Sequence, residues 1–375
     1  MTSAYKYQDY ITPIWAGNIA YYESVLFRED ATKVSLLYPA DEIISVISSD
    51  HKTEYVKGID WELEDGKIVR LPDSRIPLMT LEIYYPEKVI RGESFECIEG
   101  GYNGIYFGEG DAMAKWQVDV TYRHSGKWEG PLARNDSEKM QRFYKKLERG
   151  EEATIVFYGD SVTVGANASS FIERDPGIPC FAEFVTEVIA QKYGYTISWD
   201  HKPHKDNSHR VPIHGEKVLH YVNTAVGGTT SFWGLENVQT LVNDYKPDLV
   251  ILGFGGNDGN MKAGEFIELT KKIVDKIKEP DPDIEIVILA ATIPHWRVRN
   301  FYKNQIDFEA VLRDFAESSD KTPFVPMTST HKYLLRKKDF YHMTGNNVNH
   351  PNDYLERVYA MVFLRALGLE HPDAM

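Results

Sequence analysis

The 375-residue chain is poor in cysteine, short of positive charge and free of long apolar runs. Its two cysteines, Cys97 and Cys180, cannot build a disulfide framework, and so few thiols exclude a zinc ribbon. Both read as buried, inert thiols. Lysine and arginine number 42 against 56 aspartates and glutamates, a net charge of −14. Such a surface repels a nucleic-acid backbone and an anionic bilayer, so neither is an expected partner. The expected ligand is neutral or weakly charged. No stretch of about 18 apolar residues occurs, so no membrane-spanning helix is expected. The N-terminus, Met1 to Asp9, lacks the apolar core of a signal peptide, and a cytoplasmic location is the expectation. Internal repeats and low-complexity tracts are also missing.

What is present is ordinary for a soluble globular protein: 42% hydrophobic and 26% charged residues. The length favours two domains. Residues 1–133 alternate with a period of two. Val34, Leu36 and Tyr38 face one way, as do Leu81, Ile83 and Tyr85, and Trp116, Val118, Val120 and Tyr122. This pattern predicts strands with one buried face, and an all-β sandwich of the jelly-roll kind. Between them, Gly100 to Gly110 reads as a long loop, with Tyr102 and Tyr106 as candidates to reach a ligand. From Pro131 a linker leads into residues 134–375, where Ser137 is a candidate cap for a helix over Glu138–Glu148. Apolar strands are expected at Thr154–Tyr158, Tyr195–Trp199, Leu219–Asn223, Leu249–Gly253 and Ile284–Ala290. Helical patterns follow at Ile178–Tyr193, Leu235–Tyr245, Ala263–Lys278, Gln305–Glu317 and Asn352–Leu367. Strands alternating with helices predict βαβ units and a parallel sheet.

Four stretches carry the chemistry. Gly159-Asp160-Ser161 ends the first of these strands, where ligands bind in open α/β sheets. Read alone it is equally a tight turn. Asn223 to Ser231, with Gly227 and Gly228, follows a second strand, and Gly253 to Gly259, with Asn257, a third. Asn346 to Asp353, with His350, precedes the last helix. In a doubly wound sheet the first three end at one edge, and a loop before the last helix can fold its histidine over it.

In order and spacing these blocks resemble the SGNH (GDSL-type) hydrolases over about residues 137–370. The resemblance implies a flavodoxin-like α/β domain in which Ser161 is the nucleophile and His350 the general base and acid. It also implies an oxyanion hole built from the N–H groups of Ser161 and Gly228 and the amide of Asn257. The residue types suit acyl transfer, which needs a nucleophile, a base within hydrogen-bond reach and donors aimed at the developing oxyanion. One position departs from the family. The acid three residues before the histidine is replaced by Asn347, which can accept from Nδ1–H but cannot offset an imidazolium charge. The expectation is a Ser–His dyad oriented by Asn347 or by an acid from elsewhere, Asp353 being nearest in sequence.

Rival readings are weaker. Gly253-Phe-Gly255 lacks the third glycine of a dinucleotide fingerprint, and Thr163 breaks the Gly-x-Ser-x-Gly elbow. His201, His204, His209, His214 and His220 cluster between two strands without a known ligand spacing, so a loop rather than a metal centre is expected. His295 and Trp296, after a strand at the functional edge, are candidates to contact substrate. A jelly-roll ahead of an SGNH domain is similar to several carbohydrate esterases, family 2 among them. That implies a serine esterase removing O-acetyl groups from sugars, with acetylated carbohydrate as partner and no metal or organic cofactor. A lipase, thioesterase or acyltransferase would use the same residues. An inactive glycan-binding protein would be supported only by Asn347. The sequence leaves homo-oligomerisation open.

Overall fold

The computed structural model describes residues 10–201 and 213–370; His204 and His209 lie outside the described residues. The N-terminal third is sheet-rich. Its strands are β1 (Ile19–Arg28), β2 (Lys33–Ser35), β3 (Ala40–Ser48), β4 (Trp61–Glu64), β5 (Lys67–Arg70), β6 (Leu78–Met79), β7 (Ser94–Glu96), β8 (Gly104–Tyr106) and β9 (Gln117–His124). They form a four-stranded sheet β3-β9-β1-β6, a three-stranded sheet β2-β5-β4 and the pair β7-β8. Period-two burial is cleanest where expected: Val118, Val120 and Tyr122 of β9 pack with Val25 and Phe27 of β1. Two local expectations change. Leu81–Tyr84 is a helical turn rather than a strand, because the Thr80 side chain accepts the Ile83 N–H and caps it. Part of the glycine-rich stretch is strand β8, which pairs antiparallel with β7.

The second unit has a six-stranded parallel sheet ordered β11-β12-β10-β13-β14-β15. Its strands are β10 (Ala153–Gly159), β11 (Thr196–His201), β12 (Val218–Asn223), β13 (Leu249–Gly253), β14 (Glu285–Leu289) and β15 (Phe324–Val325). Without the edge strand β11 this is the flavodoxin-like order, in which the chain leaves the central strand first to one side and then to the other. The C-terminal ends of β10, β12 and β13 therefore border the crevice. The predicted helices are present, several starting later than the pattern suggested: Gln141–Glu148, Phe181–Tyr193, Ser231–Leu241, Ala263–Lys278, Phe308–Glu317 and Asp353–Ala366. Ser137 is no cap; it opens a 3-10 turn that precedes the first of them. The short β15 and the helix Met327–Leu334 were not foreseen, being too short or too polar to show a period.

The two units share one interior. A single apolar cluster includes Val25, Phe27 and Tyr122 from the first and Phe157, Phe181 and Tyr359 from the second. Polar groups cross the junction too. Gln117 Nε2 donates to the carbonyls of Tyr341 and Thr344, and Asn352 Nδ2 donates to Ser24 Oγ. Cys97 and Cys180 are buried and not joined in a disulfide, in keeping with the sequence. Among the described residues no helix is long and apolar enough to cross a membrane.

Candidate active site

The Ser161 loop is shaped by close backbone approach. Gly159 and Gly253 are register partners on β10 and β13, and a Cβ at Gly159 would collide with the Gly253 carbonyl and Thr163 Oγ1. Asp160 then caps the helical turn Ser161–Val164 by accepting the Val162 N–H at 3.0 Å through Oδ1. Its Oδ2 accepts the Gly256 N–H at 3.0 Å, which ties the first block to the third. Burial pushes the Asp160 carboxyl up to about 6 against the pull of these two N–H groups. Ser161 thus stands at the first helical position, where its own N–H has no intrahelical acceptor.

The second block lies alongside. The Val226 N–H donates to the Gly159 carbonyl at 3.1 Å, and a Cβ at Gly227 would sit 3.6 Å from Ser161 Cβ. Gly228 has φ +77°, a backbone conformation that suits glycine, and faces open space. Asn257 Nδ2 donates to the Thr229 carbonyl at 2.9 Å, so its amide is anchored on the loop that carries Gly228. Asp258 braces the same loop by accepting from the N–H and the hydroxyl of Ser231 at 3.0 and 2.8 Å. The three blocks form one stitched edge.

His350 completes it. Its Nε2 is 3.0 Å from Ser161 Oγ. The loop that presents it is organised by Asn346, fully buried, whose Oδ1 accepts the N–H groups of Val348, Asn349 and His350 at 3.0–3.1 Å. The other ring nitrogen, Nδ1, meets two acceptors: Asn167 Oδ1 at 2.7 Å and Glu109 Oε2 at 3.3 Å. Asn167 Nδ2 donates to the carbonyls of Gly110 and Gly345 at 3.1 and 3.4 Å, which fixes the amide with its oxygen toward the imidazole. Nδ1 therefore carries the proton, and Nε2 is left to accept from the serine. Burial would raise the Glu109 carboxyl, but hydrogen bonds from His350, Asn346 and Asn167 and the charge of His350 hold it below its ordinary value.

Other candidates fall elsewhere. Asn347 does not orient His350: its Nδ2 donates to the Tyr106 carbonyl at 2.9 Å and its Oδ1 accepts from Tyr84 at 3.4 Å. Asp353 accepts the Ser169 N–H at 2.7 Å instead of meeting the histidine. His295 is 2% exposed, its N–H donates to the Val348 carbonyl, and burial pushes its imidazole down to about 3. Its ring packs against Phe340, and Trp296 lies beside both. Tyr106 donates to the Ala112 carbonyl, while Tyr102 stacks on Tyr85 with centroids 3.7 Å apart. Glu109 and Asn167 escaped the sequence reading because neither belongs to a motif. The one signal is the pair of glycines flanking Glu109, Gly108 and Gly110, and their composition points only to a loop.

This arrangement can generate a serine nucleophile, hold its base and offer N–H donors beside it. The sequence model of the GDSL-like Lipase/Acylhydrolase family matches residues 157–357, more than half of the chain. The chain belongs to that family. No curated protein matches it in sequence. Among solved structures, this GDSL-family chain is similar to a two-domain esterase (CEX) active on acetylated mannans, at 21% identity and a TM-score of 0.46. That match covers 66% of this chain and 56% of the other, a little over half of the relative's length. Axe2, an acetylxylan esterase from Geobacillus stearothermophilus, is 17% identical, with 58% and 94% of the two chains covered and a TM-score of 0.43. LAE5, an alpha/beta hydrolase enzyme from the metagenome of Lake Arreo, Spain, is also 17% identical, with 58% and 96% covered and a TM-score of 0.43.

Proposed function

We propose that this GDSL-family chain is a serine esterase that removes O-acetyl groups from sugars. The observation that carries the reading is the 3.0 Å contact between Ser161 Oγ and His350 Nε2, with the far nitrogen of the ring held by Asn167 and Glu109. In the proposed mechanism Ser161 Oγ attacks the ester carbonyl carbon while its proton passes to His350 Nε2. The carbonyl oxygen becomes an oxyanion that accepts from the N–H groups of Ser161 and Gly228 and from Asn257 Nδ2. Loss of one such donor typically costs about 2.7–4 kcal/mol of transition-state stabilisation. The tetrahedral centre collapses, the C–O bond to the sugar breaks, and His350 returns the proton to the leaving hydroxyl. Water, deprotonated by the same nitrogen, then attacks the acyl carbon; the bond to Ser161 Oγ breaks, acetate leaves, and His350 returns the proton to Oγ.

Glu109 offsets the imidazolium charge, and Asn167 fixes the tautomer. The reading of an inactive glycan-binding protein rested on Asn347, and that support falls away once Nδ1 has other partners. A sugar as the alcohol half is supported by the net negative charge, which disfavours anionic ligands. It is supported also by the architecture, a sheet-rich unit before a hydrolase unit. Phe232, 55% exposed directly after the Gly228 loop, offers a flat apolar face of the kind on which a pyranose ring can stack.

The first test is Ser161→Ala with p-nitrophenyl acetate: activity should vanish with the melting curve unchanged, and a wild-type rate would reject the nucleophile. A p-nitrophenyl series from acetyl to octanoyl tests the acyl group. A preference for octanoyl would replace the acetyl reading with a lipase or thioesterase one. Mass spectrometry of acetylated mannan, xylan and pectin oligosaccharides, before and after incubation, identifies the sugar.

A further inference from the structure

Two histidines that play no part in the ester chemistry meet a carboxylate at the far end of the central strand. We propose that Glu152, His214 and His220 bind a first-row divalent transition ion with the preferences of Zn2+.

Strand geometry brings the groups together. His220 lies on β12, in register with Ser198 of β11 on one side and Thr154 of β10 on the other. Side chains alternate along strands, so His220 shares a face with Ser198 and Asp200, and with Thr154 and the position of Glu152. Glu152 Oε1 is 2.5 Å from His220 Nε2 and 2.6 Å from His214 Nδ1. One ligand atom from each of the three residues lies within 4.8 Å of the others.

The second nitrogen of His220 is held by the carboxylate of Asp200. Metal-bound histidines are oriented in this way, the outer carboxylate fixing the tautomer and raising the basicity of the ligating nitrogen. With its proton toward Asp200, the ring presents the lone pair of Nε2 to the oxygen of Glu152. Two lone pairs at that distance require a cation between them, either a proton or a metal ion.

Two imidazoles and one carboxylate form a ligand set that zinc uses with a fourth position left to water. Calcium and magnesium would want oxygen alone. Zinc bonds of roughly 2.0–2.2 Å in a tetrahedron place neighbouring ligand atoms about 3.3 Å apart. Glu152 Oε1, now 2.5 and 2.6 Å from the two ring nitrogens, must therefore withdraw from each by roughly 0.7 Å, while the two histidine nitrogens, within 4.8 Å of each other, draw together. The side chains of Glu152 and His214 are 38% and 68% exposed and free to move, whereas His220, at 7%, is the fixed point.

The site stands apart from the nucleophile. Glu152 precedes β10 and Ser161 follows it, and seven residues of strand span roughly 20 Å. The ion would tie the added edge strand β11, through Asp200 and β12, to the start of the central strand. Its role is to fasten that edge.

The test uses tag-free, full-length protein stripped with a chelator. Calorimetric titration with zinc chloride should show one equivalent bound per chain with an apparent Kd of about 1 μM or tighter, and a melting temperature higher by several degrees. Co2+ in place of zinc should give the visible d–d bands of a four-coordinate ion. His220 is buried and its replacement could unfold the edge, so the variants are His214→Ala and Glu152→Gln. Each should weaken zinc binding at least about tenfold and remove the melting shift, while ester hydrolysis stays at the wild-type rate. No saturable zinc binding, or variants that bind as wild type does, would overturn the proposal and leave a proton bridging the cluster.

Discussion

Glu109 places its carboxylate 3.3 Å from Nδ1 of His350, across 241 residues of sequence and from the other structural unit. The sheet-rich unit thus contributes to the centre itself. The hydrolase family keeps its acid three residues before the histidine. In the proposed mechanism that role is divided between Asn167, whose amide oxygen lies 2.7 Å from the imidazole Nδ1, and Glu109, which brings the negative charge. Asn346 couples the two parts, since its Oδ1 shapes the histidine loop while its Nδ2 donates to Glu109 Oε1 at 3.2 Å.

The divided role makes the first prediction. Glu109→Gln keeps the shape and removes the charge, and a hydrogen bond to a charged group is worth about 1.5–3 kcal/mol, or roughly ten- to a hundredfold in kcat. Asn167→Ala should cost at least as much, because it removes the shorter bond and frees the ring to rotate. KM should change little in either variant. Steady-state kinetics on p-nitrophenyl acetate decide the matter: a Glu109→Gln enzyme with wild-type kcat would remove the carboxylate from the proton-transfer step.

Asn347 gives the opposite expectation. It has φ +65°, so glycine fits its backbone, and Asn347→Gly deletes only the amide that holds the Tyr106 carbonyl and Tyr84. Leaving that half-buried carbonyl unpaired should cost up to about 1–3 kcal/mol of stability. The kcat of the folded enzyme should stay within about threefold of wild type. A large fall in kcat with an unchanged melting temperature would restore Asn347 to the centre.

Why was the serine legible and its supporting acid not? Ser161, Gly228 and Asn257 each lie in the loop that follows a strand, and a parallel sheet gathers strand ends at one edge whatever lies between them. His350 could be placed because its loop leads into the last helix. Glu109 follows a short antiparallel pair in the other unit, and its position depends on how two units pack, which no local period encodes. Asn347 misled for a related reason: its spacing from His350 matches the family, but its left-handed backbone turns the side chain toward Tyr106. His295 shows the same limit. It follows a strand at the correct edge, yet the chain there folds inward and buries the ring against Phe340.

Asp353 offers a test by pH. Burial lifts its carboxyl from the ordinary 3.8 to about 6, so the fold favours the protonated form. A raised native pKa contributes stability that is full below the unfolded value and is lost as pH rises through the native one. The slope is at most about 1.4 kcal/mol per pH unit between those two values. Asp353→Asn keeps an oxygen for the Ser169 N–H and removes the titration. It should melt higher than wild type near pH 8 and show no such gain near pH 4. Parallel melting curves at both pH values would refute the assignment.

The junction between the units contains a buried ion pair, Glu23 of β1 with Lys338, whose side chains are 1% and 0% exposed. Glu23 is otherwise well supplied: it accepts the Leu37 N–H at 2.8 Å and the Tyr122 hydroxyl at 2.6 Å. Desolvating both charges offsets most of their attraction, so the pair adds little net stability. Breaking one half leaves a buried charge without its partner, which typically costs about 3–5 kcal/mol. Lys338→Met should therefore be strongly destabilising by itself. Combining it with Glu23→Gln, which keeps an acceptor for Leu37 but no charge, should recover a large part of the loss. Urea unfolding followed by tryptophan fluorescence and by circular dichroism provides the comparison, with coincident transitions justifying a single free energy. If the double variant is no more stable than Lys338→Met, the cost lies in lost packing rather than in the stranded carboxylate.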